Sequence, residues 1–351
     1  MAKRVVKKYL MDVVLIRLTL IFLMVLYHAF CPFTGAWEEP PAENFHAIEV
    51  YKWLGWSLHH FRLQTMVFIS GLLFGYTLTI HPERLTFHNC VLMKAKRILL
   101  PGILFSILYY VMFSDFCEPW YSILYKLCSG CGHLWFLPMI FWCFVICYLI
   151  ECQGSSFISP KVILAVGAVI LFLPRIPVLA LGLGSLPDYF FYFYFGFAIK
   201  RGYITFPIVK NWWCLLLLVV YIVVFICNEM IDNYWLRPIA IAEYYIRGFL
   251  LRLTHVLGIC SMIVFLYSLA NNPSIKHWLN QRSWLITLSG YCYGVYIYHQ
   301  FILEYLYYKT PFTIYFSNEI FPWLGFLLAL ILSLGLCHLT LKTRWGRYMI
   351  G

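Results

Sequence analysis

Long apolar runs separated by short polar segments dominate the chain from residue 13 to residue 341. Most runs hold roughly 17–24 residues, a length at which an α-helix crosses the hydrocarbon core of a bilayer. The sixth run is shorter, and Gly182, Gly184 and Pro187 break the chain before it. We predict an all-α, polytopic membrane helical bundle formed by one domain over 1–351, with about ten transmembrane helices near 13–33, 60–80, 98–114, 133–151, 162–181, 188–200, 211–228, 248–270, 285–307 and 320–341.

The composition excludes a soluble globular protein. Hydrophobic residues make up 62% of the chain, charged residues only 12%, and the mean hydropathy is +0.78, whereas soluble domains carry about 25% charged residues. The net charge of +11 comes from short clusters between apolar runs and forms no continuous stripe. We therefore expect the lipid bilayer as a partner and no nucleic acid.

Basic and acidic clusters alternate along the chain, and this alternation predicts the orientation. Lys and Arg concentrate at 3–8, 84–97, 200–210, 276–282 and 342–347, whereas carboxylates lie in the intervening connections at 38–43, 115–118, 232 and 319. Lys and Arg favour the cytoplasmic side of a membrane. We expect a multi-pass protein of the cell (inner or plasma) membrane with both termini in the cytoplasm.

The first apolar run carries two polar side chains, Arg17 and His28, that hydrocarbon should reject. They are eleven residues apart, so on a helix they share one face and lie about 16 Å apart along the axis. Ionisable residues inside membrane spans are candidates for function because burying them is costly. The alternative is that neither residue has a functional role. Arg17 would then snorkel to the membrane surface, and a neighbouring helix would satisfy His28.

The segment LMKAKRILLP at 92–101 places three cations at the start of the third run. Lys94 and Arg97 are three residues apart and would share a face if the helix begins there. Lys94, Lys96 and Arg97 could be anchors at the membrane surface. They could equally hold a phosphorylated ligand on the cytoplasmic side.

Four further polar residues lie at or near the ends of their runs that face the outside in the predicted orientation: His60, His133, His299 and Glu304. His60 could be solvated at the interface, and His133 lies beside an ordinary interfacial Trp135. His299 and Glu304 are set deep among aromatic residues, where they need partners. We predict that these four residues line a substrate site on the outer side.

The thirteen cysteines are scattered mostly inside apolar runs, where a thiol behaves as a small hydrophobic group. The one close pair is Cys128 and Cys131. A single CxxC motif without a second pair is weak evidence for zinc, so we expect no metal. The sequence does not decide whether these two cysteines form a local disulfide.

Several segments together resemble the acyltransferase family 3 of integral-membrane proteins, which transfer acetyl or related groups to surface glycans. The resemblance lies in RLTLIFLMVLYHAF of the first run, MVFISGLLF of the second, the basic KAKRILLP, the HLWFL at His133 to Leu137 and the late SGYCYGVYIYHQ. Together these segments extend over roughly residues 10–340. The sequence departs from the family pattern at two places. The basic segment reads Lys94-x-x-Arg97, where many relatives carry Arg at both ends. The Asp that follows the first-run Arg in the family is replaced by Thr19 or is absent.

The resemblance implies an acyl-coenzyme A donor, most simply acetyl-CoA, used from the cytoplasmic side. It also implies an acceptor hydroxyl on a cell-surface polysaccharide or a lipid-linked sugar. The phosphates of the donor would be held by Arg17, Lys94, Lys96 and Arg97. The separation of Arg17 and His28 along the first helix, about 16 Å, is comparable with the length of the pantetheine arm. A neutral His28 could then act as the general base on the acceptor hydroxyl.

Three functions remain as hypotheses. A membrane O-acyltransferase, most simply an O-acetyltransferase, accounts for Arg17, His28 and the basic cluster, and direct transfer and a covalent acyl-enzyme are both open to it. A transporter or flippase for an anionic or glycolipid substrate would use the same ions along a permeation route, but it should show an internal repeat. A membrane scaffold leaves the intramembrane Arg and His unexplained.

Overall fold

The structure, a computed structural model, describes residues 10–37, 40–114, 118–154, 158–173, 181–206, 208–210, 213–234 and 241–350. Over these ranges it contains α-helices, a few 3₁₀ and π turns and no β-strand. The α-helices are α1 Met11–Ala29, α2 Cys31–Thr34, α3 Glu49–His59, α4 Arg62–Ile80, α5 Leu100–Phe113, α6 Trp120–Ser129, α7 Phe136–Leu149, α8 Pro160–Ile170, α9 Leu186–Lys200, α10 Trp213–Tyr234, α11 Ile241–Ala270, α12 Pro273–Asn280, α13 Trp284–Tyr308, α14 Phe312–Tyr315, α15 Phe321–Lys342 and α16 Arg344–Ile350.

The predicted fold class, an all-α membrane bundle, is confirmed. Each of the predicted runs overlaps one of the α-helices, namely α1, α4, α5, α7, α8, α9, α10, α11, α13 or α15. The helical stretches in the described residues that are long and apolar enough to cross a membrane are Met11–Ala29, Glu49–Ile80, Gly132–Cys152, Trp213–Asp232, Tyr245–Ala270 and Phe321–Lys342. The fifth run was predicted to reach residue 181, but α8 ends at Ile170, and 174–180 lie outside the described residues. The basic cluster at 3–8 also lies outside them.

Helix α1 is the central element of the bundle, since it packs against α4, α11, α13 and α15. Leu20, Met24 and Val25 are almost completely buried, whereas Phe22 on another face is 46% exposed. An apolar helix surrounded in this way can direct polar side chains into the protein instead of into lipid. The helix therefore carries Arg17 and His28 into the interior of the bundle.

Small residues bring α4 and α9 into close contact. A Cβ atom added at Gly71 would clash with the carbonyl oxygen of Phe193, and one added at Gly75 would lie 2.8 Å from the carbonyl oxygen of Phe197. On the partner helix, a Cβ atom at Gly196 would clash with the carbonyl oxygen of Phe68. Glycine permits this backbone approach in membrane helices. Gly71, Gly75 and Gly196 therefore allow the two helices to pack closely.

The basic segment before α5 is wound as two π-helical turns, His88–Leu92 and Ala95–Leu99. Lys94 lies between them, and Arg97 lies within the second. Short π turns inside helices are frequent at functional sites because they change the register of the side chains. They bring this segment against α7.

Candidate functional site

His28 lies in the last turn of α1 and is 8% exposed. Its Nδ1 nitrogen lies 3.0 Å from the carbonyl oxygen of Met24, one turn earlier, and 2.9 Å from Nε2 of His299 on α13. His299 is fully buried, and its own Nδ1 lies 3.0 Å from the carbonyl oxygen of Val295. Two helices thus hold the two imidazoles against each other, with ring centroids 4.7 Å apart.

These contacts assign the neutral tautomers of both rings. A carbonyl oxygen only accepts hydrogen bonds, so the Nδ1 nitrogen of each ring carries a hydrogen. The Nε2 nitrogen of His299 then accepts at its lone pair and shares the Nδ1–H of His28 with the carbonyl oxygen of Met24 in a three-centre hydrogen bond. Nε2 of His28 keeps its lone pair, and no hydrogen-bond partner for it is found among the described residues. This is the arrangement that a general base requires.

A third imidazole, that of His133, packs at the same place. Its ring centroid lies 5.1 Å from that of His299 and 6.2 Å from that of His28. Its Nε2 donates to the carbonyl oxygen of Ile297 over 3.1 Å, while its Nδ1 is buried without a partner among the described residues. Gly130 and Gly132 adopt positive φ values just before it, a conformation that glycine allows and that turns the chain sharply into α7.

Glu304 lies one and a half turns after His299 on α13 and is 9% exposed. Its carboxylate accepts hydrogen bonds from the hydroxyl of Tyr109 on α5 and from Nε2 of Gln300, the latter over 2.5 Å. The buried carboxylate is therefore held by two neutral donors. Burial of a charge is tolerated when hydrogen bonds satisfy it in this way.

A buried cation, Arg62, faces the same group of residues from the first turn of α4. It is 2% exposed, its guanidinium carbon lies 3.7 Å from the ring centroid of Tyr27, and its Nη1 lies 2.9 Å from the sulfur of Met24. Its Nε atom is buried without a hydrogen-bond partner among the described residues. Tyr27 and Met24 flank His28 on α1, so the guanidinium lies beside the candidate base.

These residues surround a cavity of about 590 Å³, which we call the His28 cavity. Ala36 and Lys309, both exposed, contribute to its wall, so the cavity reaches the protein surface at this end of α1. Its polar and aromatic lining includes Tyr27, His28, Trp37, Arg62, Tyr109, His133, Tyr296, Gln300, Glu304 and Lys309.

A second cavity, of about 950 Å³, lies toward the other end of α1 and is called here the Arg17 cavity. Four cations line it, Arg17, Arg84, Lys94 and Arg97, and its lining among the described residues includes no carboxylate. Lys94 packs its ammonium 3.7 Å from the ring centroid of Phe144. An excess of positive charge of this kind suits a polyanionic ligand.

Phe136 and Tyr296 line both cavities and form the wall between them, with ring centroids 5.8 Å apart. The Tyr296 hydroxyl donates to the carbonyl oxygen of His133 over 2.5 Å, which fixes the ring. Arg17 and His28 thus lie on opposite sides of a thin aromatic partition. They line two adjoining cavities that meet at these two rings.

The candidate residues from the sequence divide into three groups. Arg17, Lys94 and Arg97 line the Arg17 cavity, whereas Lys96 is exposed and lies off it. His28, His133 and Glu304 line the His28 cavity. His299 supports His28 from behind, and His60 lies outside the cavity lining, with its Nε2 3.8 Å from a carboxylate oxygen of Glu229.

The two cysteines of the CxxC motif are both free thiols. Cys131 is buried, and its burial raises the pKa of the thiol to about 11. A thiol with that pKa is protonated at neutral pH and is a poor nucleophile and metal ligand. The backbone amide of Cys131 donates to the hydroxyl of Ser106, which ties this turn to α5.

Arg62 and Tyr109 are site residues that the sequence did not indicate. Arg62 stands near the predicted start of its run, where a cation is ordinary. In the structure, α3 and α4 together form an apolar helical stretch over Glu49–Ile80, so Arg62 is inside it and not at its end. A run that began at Glu49 would have placed Arg62 inside an apolar helix, and that position is the signal that could have identified it. Tyr109 gave no signal of this kind.

A family model described as an acyltransferase domain matches residues 12–342, nearly the whole chain. A search of curated proteins and a search of solved structures returned no match. The matched range begins one residue into α1 and ends with α15, so it includes every residue of the two cavities except Ile350.

Proposed function

The chain belongs to the acyltransferase family 3, and from this premise we propose that it is a membrane O-acyltransferase in which His28 is the general base. The acyl donor is acyl-CoA, most simply acetyl-CoA, bound in the Arg17 cavity. The acceptor is a hydroxyl of a cell-surface polysaccharide or lipid-linked sugar, bound in the His28 cavity. The observation that carries the proposal is that His28, held by His299, lines a cavity next to a strongly cationic one.

The lining of the Arg17 cavity fits a CoA ester. Arg17, Arg84 and Arg97 offer guanidinium groups, which match phosphate oxygens in pairs, and Lys94 adds a point charge. Exposed Arg84 and Arg97 put the phosphate end at the surface, while Leu73, Ile140 and other apolar residues line the rest. CoA supplies an activated thioester, whose carbonyl carbon is the electrophile.

His28 performs the proton transfer in this mechanism. Its Nε2 takes the proton of the acceptor hydroxyl as the oxygen forms a bond to the thioester carbonyl carbon. The carbon–sulfur bond then breaks, and the imidazolium returns the proton to the leaving thiolate, which departs as the free thiol. The products are an O-acyl ester and CoA. Direct transfer needs no acyl-enzyme, and general base catalysis contributes roughly 10²–10⁴-fold.

His299 and His133 act on His28 in different ways. His299 accepts the Nδ1–H of His28 and so stabilises the imidazolium that forms. His133 and Glu304 line the acceptor side of the site. Both termini lie in the cytoplasm under this proposal, because the Arg17 cavity then opens to the compartment that contains acyl-CoA.

The test compares purified protein in nanodiscs with labelled acetyl-CoA and a panel of hexosides. We expect His28→Ala to lower acetyl transfer by about 10²–10⁴-fold while retaining CoA binding. The matched control is His338→Ala. His338 is an exposed histidine whose Nδ1 lies 3.1 Å from the Tyr291 hydroxyl, and it lines neither cavity, so this variant should transfer normally. Undiminished transfer by His28→Ala would remove the mechanism.

The second measurement asks for the product in cells. Cells that express the wild-type chain should carry base-labile acetyl esters on surface glycans, and cells that express His28→Ala should lack them. Transport of a saccharide by the purified protein without any acyl donor would instead favour a flippase.

A further inference from the structure

Arg62 is a buried charged residue that the mechanism above does not use. It is 2% exposed and contributes to the wall of the His28 cavity. Its contacts are the face of the Tyr27 ring and the sulfur of Met24. Neither carries a formal negative charge, and a thioether is a weak acceptor.

No carboxylate neutralises this guanidinium among the described residues. None of their ion pairs includes Arg62. Glu304 lines the same cavity, but its hydrogen bonds go to Tyr109 and Gln300. A buried charge is ordinarily paired, because removing it from water is costly.

Unused hydrogen-bonding atoms gather around the same cavity. Arg62 Nε, His133 Nδ1 and Gln300 Oε1 are all buried without a partner among the described residues, and all three residues line the cavity. Buried polar atoms in folded proteins nearly always have partners. A cavity lined by residues with an unpaired donor, ring nitrogen and amide oxygen is suited to a polyhydroxylated ligand with one anionic group.

The position of Arg62 relative to His28 sets where that anionic group would lie. Arg62 contacts Met24, which is one helical turn, about 6 Å, before His28 on α1. That distance is comparable with the span of one sugar ring. Exposed Lys309 at the cavity wall adds positive charge along the entry path, which favours the approach of anions.

We propose that Arg62 is a specificity-determining residue that binds a carboxylate or phosphate group on the acceptor, within one sugar unit of the hydroxyl that is acylated. The inference rests on the proposed function, since it names the chemical class of the acceptor. The planar guanidinium binds either group through two parallel N–H donors. An acidic sugar such as a uronic acid and a sugar phosphate are the two sources of this group.

The first experiment measures ligand binding without any acyl donor. Purified protein in nanodiscs is heated with methyl β-D-glucuronide, glucose 6-phosphate or methyl β-D-glucoside. The melting temperature of the wild-type protein should rise with one or both anionic probes and not with the neutral glucoside. The glucuronide and the phosphate arms show which source is preferred.

Two variants and a control make this measurement specific. Arg62→Met should bind the anionic probe at least about 30-fold more weakly, as expected when one partner of a buried charged pair is removed. Arg62→Lys keeps the positive charge but lacks the planar pair of N–H donors, and it should retain part of the preference for anionic over neutral probes. Arg247→Met changes an arginine paired with Asp232 outside the cavity and should bind as the wild-type protein does.

A separate assay of acetyl transfer to the same probes distinguishes this inference from the proposed function. If Arg62 instead stabilised the reacting carbonyl, Arg62→Met would slow transfer to the neutral and the anionic acceptors equally, and the inference would be overturned. It would also be overturned by equal binding of all probes, by no shift with any of them, or by an unchanged preference in Arg62→Met. Binding that depends on Arg62 without transfer from acetyl-CoA would leave the anion site standing and reject the acyltransferase mechanism.

Discussion

Nε2 of His299 lies 2.9 Å from Nδ1 of His28, although the two residues are 271 positions apart in the chain. The backbone carbonyl of Val295 fixes the His299 ring through its other nitrogen. Because His299 can only accept at Nε2 in this tautomer, it fixes the ring of His28, a residue that lines the His28 cavity. His299 is therefore a positioning residue behind the candidate base.

Replacement of His299 tests this relationship. His299→Leu should lower kcat for acetyl transfer by about 10- to 100-fold, the value of one hydrogen bond to a charged group, because the imidazolium form of His28 loses its acceptor. The KM for acetyl-CoA should not change, since His299 is not in the lining of the Arg17 cavity. His299→Gln, whose amide oxygen can accept the same hydrogen, should recover part of kcat. An increase in KM without a change in kcat would contradict the role.

Two lysines of the basic segment give a second prediction. Lys94 lines the Arg17 cavity, whereas Lys96 is exposed and lies off it. Lys94→Met should raise the KM for acetyl-CoA by about 10-fold with little change in kcat, because one charge-assisted contact to phosphate is lost. It should also weaken the dependence of KM on salt. Steady-state kinetics of both variants at two ionic strengths provides the measurement, and equal effects of Lys94→Met and Lys96→Met would place the phosphates elsewhere.

The sequence predicted the helices and the two ends of the site, but not how the ends are joined. Hydrophobic run length is a strong signal for membrane helices, so the runs and the helices agree. The shared face of Arg17 and His28 predicted that both residues serve one site along the first helix. The structure instead has the Phe136 and Tyr296 rings between the two cavities, and apolar rings in an apolar run carry no signal of such a wall.

Contacts between distant helices explain the other differences. The 3.6-residue period put Lys94 and Arg97 on one face, and both line the Arg17 cavity, whereas Lys96 is exposed and lies off it. Arg62 was hidden by its place at the edge of an apolar run. His299 was predicted to face the substrate, whereas its Nε2 faces His28, and only the packing of α13 on α1 determines that direction.

The close approach of α4 and α9 gives a prediction on stability. Gly71→Ala should lower the free energy of unfolding by about 1–3 kcal/mol, as overpacking of a well-packed core does, because its Cβ would clash with the carbonyl oxygen of Phe193. Gly335→Ala on α15 is the matched control, since nothing lies within 4 Å of a Cβ built there. Thermal unfolding of both variants in the same detergent is the measurement. Equal melting temperatures would mean that α4 and α9 can separate without cost.

The aromatic partition gives the last prediction. Tyr296→Ala removes the ring that Tyr296 places between the two cavities and the hydrogen bond to the carbonyl oxygen of His133. Water from the His28 cavity could then reach a thioester held from the Arg17 side. We expect release of CoA in the absence of acceptor to rise by about 10-fold, and transfer to a hexoside to fall, because exclusion of water protects reactive groups in enzyme sites.

Tyr298→Ala is the matched control for this prediction. Tyr298 lies on the same helix, its hydroxyl lies 2.9 Å from that of Thr340, and it lines neither cavity. A thiol reagent that reports free CoA measures hydrolysis for the wild-type protein and both variants under identical conditions. If Tyr296→Ala hydrolyses acetyl-CoA no faster than Tyr298→Ala does while transfer persists, the rings of Tyr296 and Phe136 do not separate donor from water, and the route between the cavities must pass elsewhere.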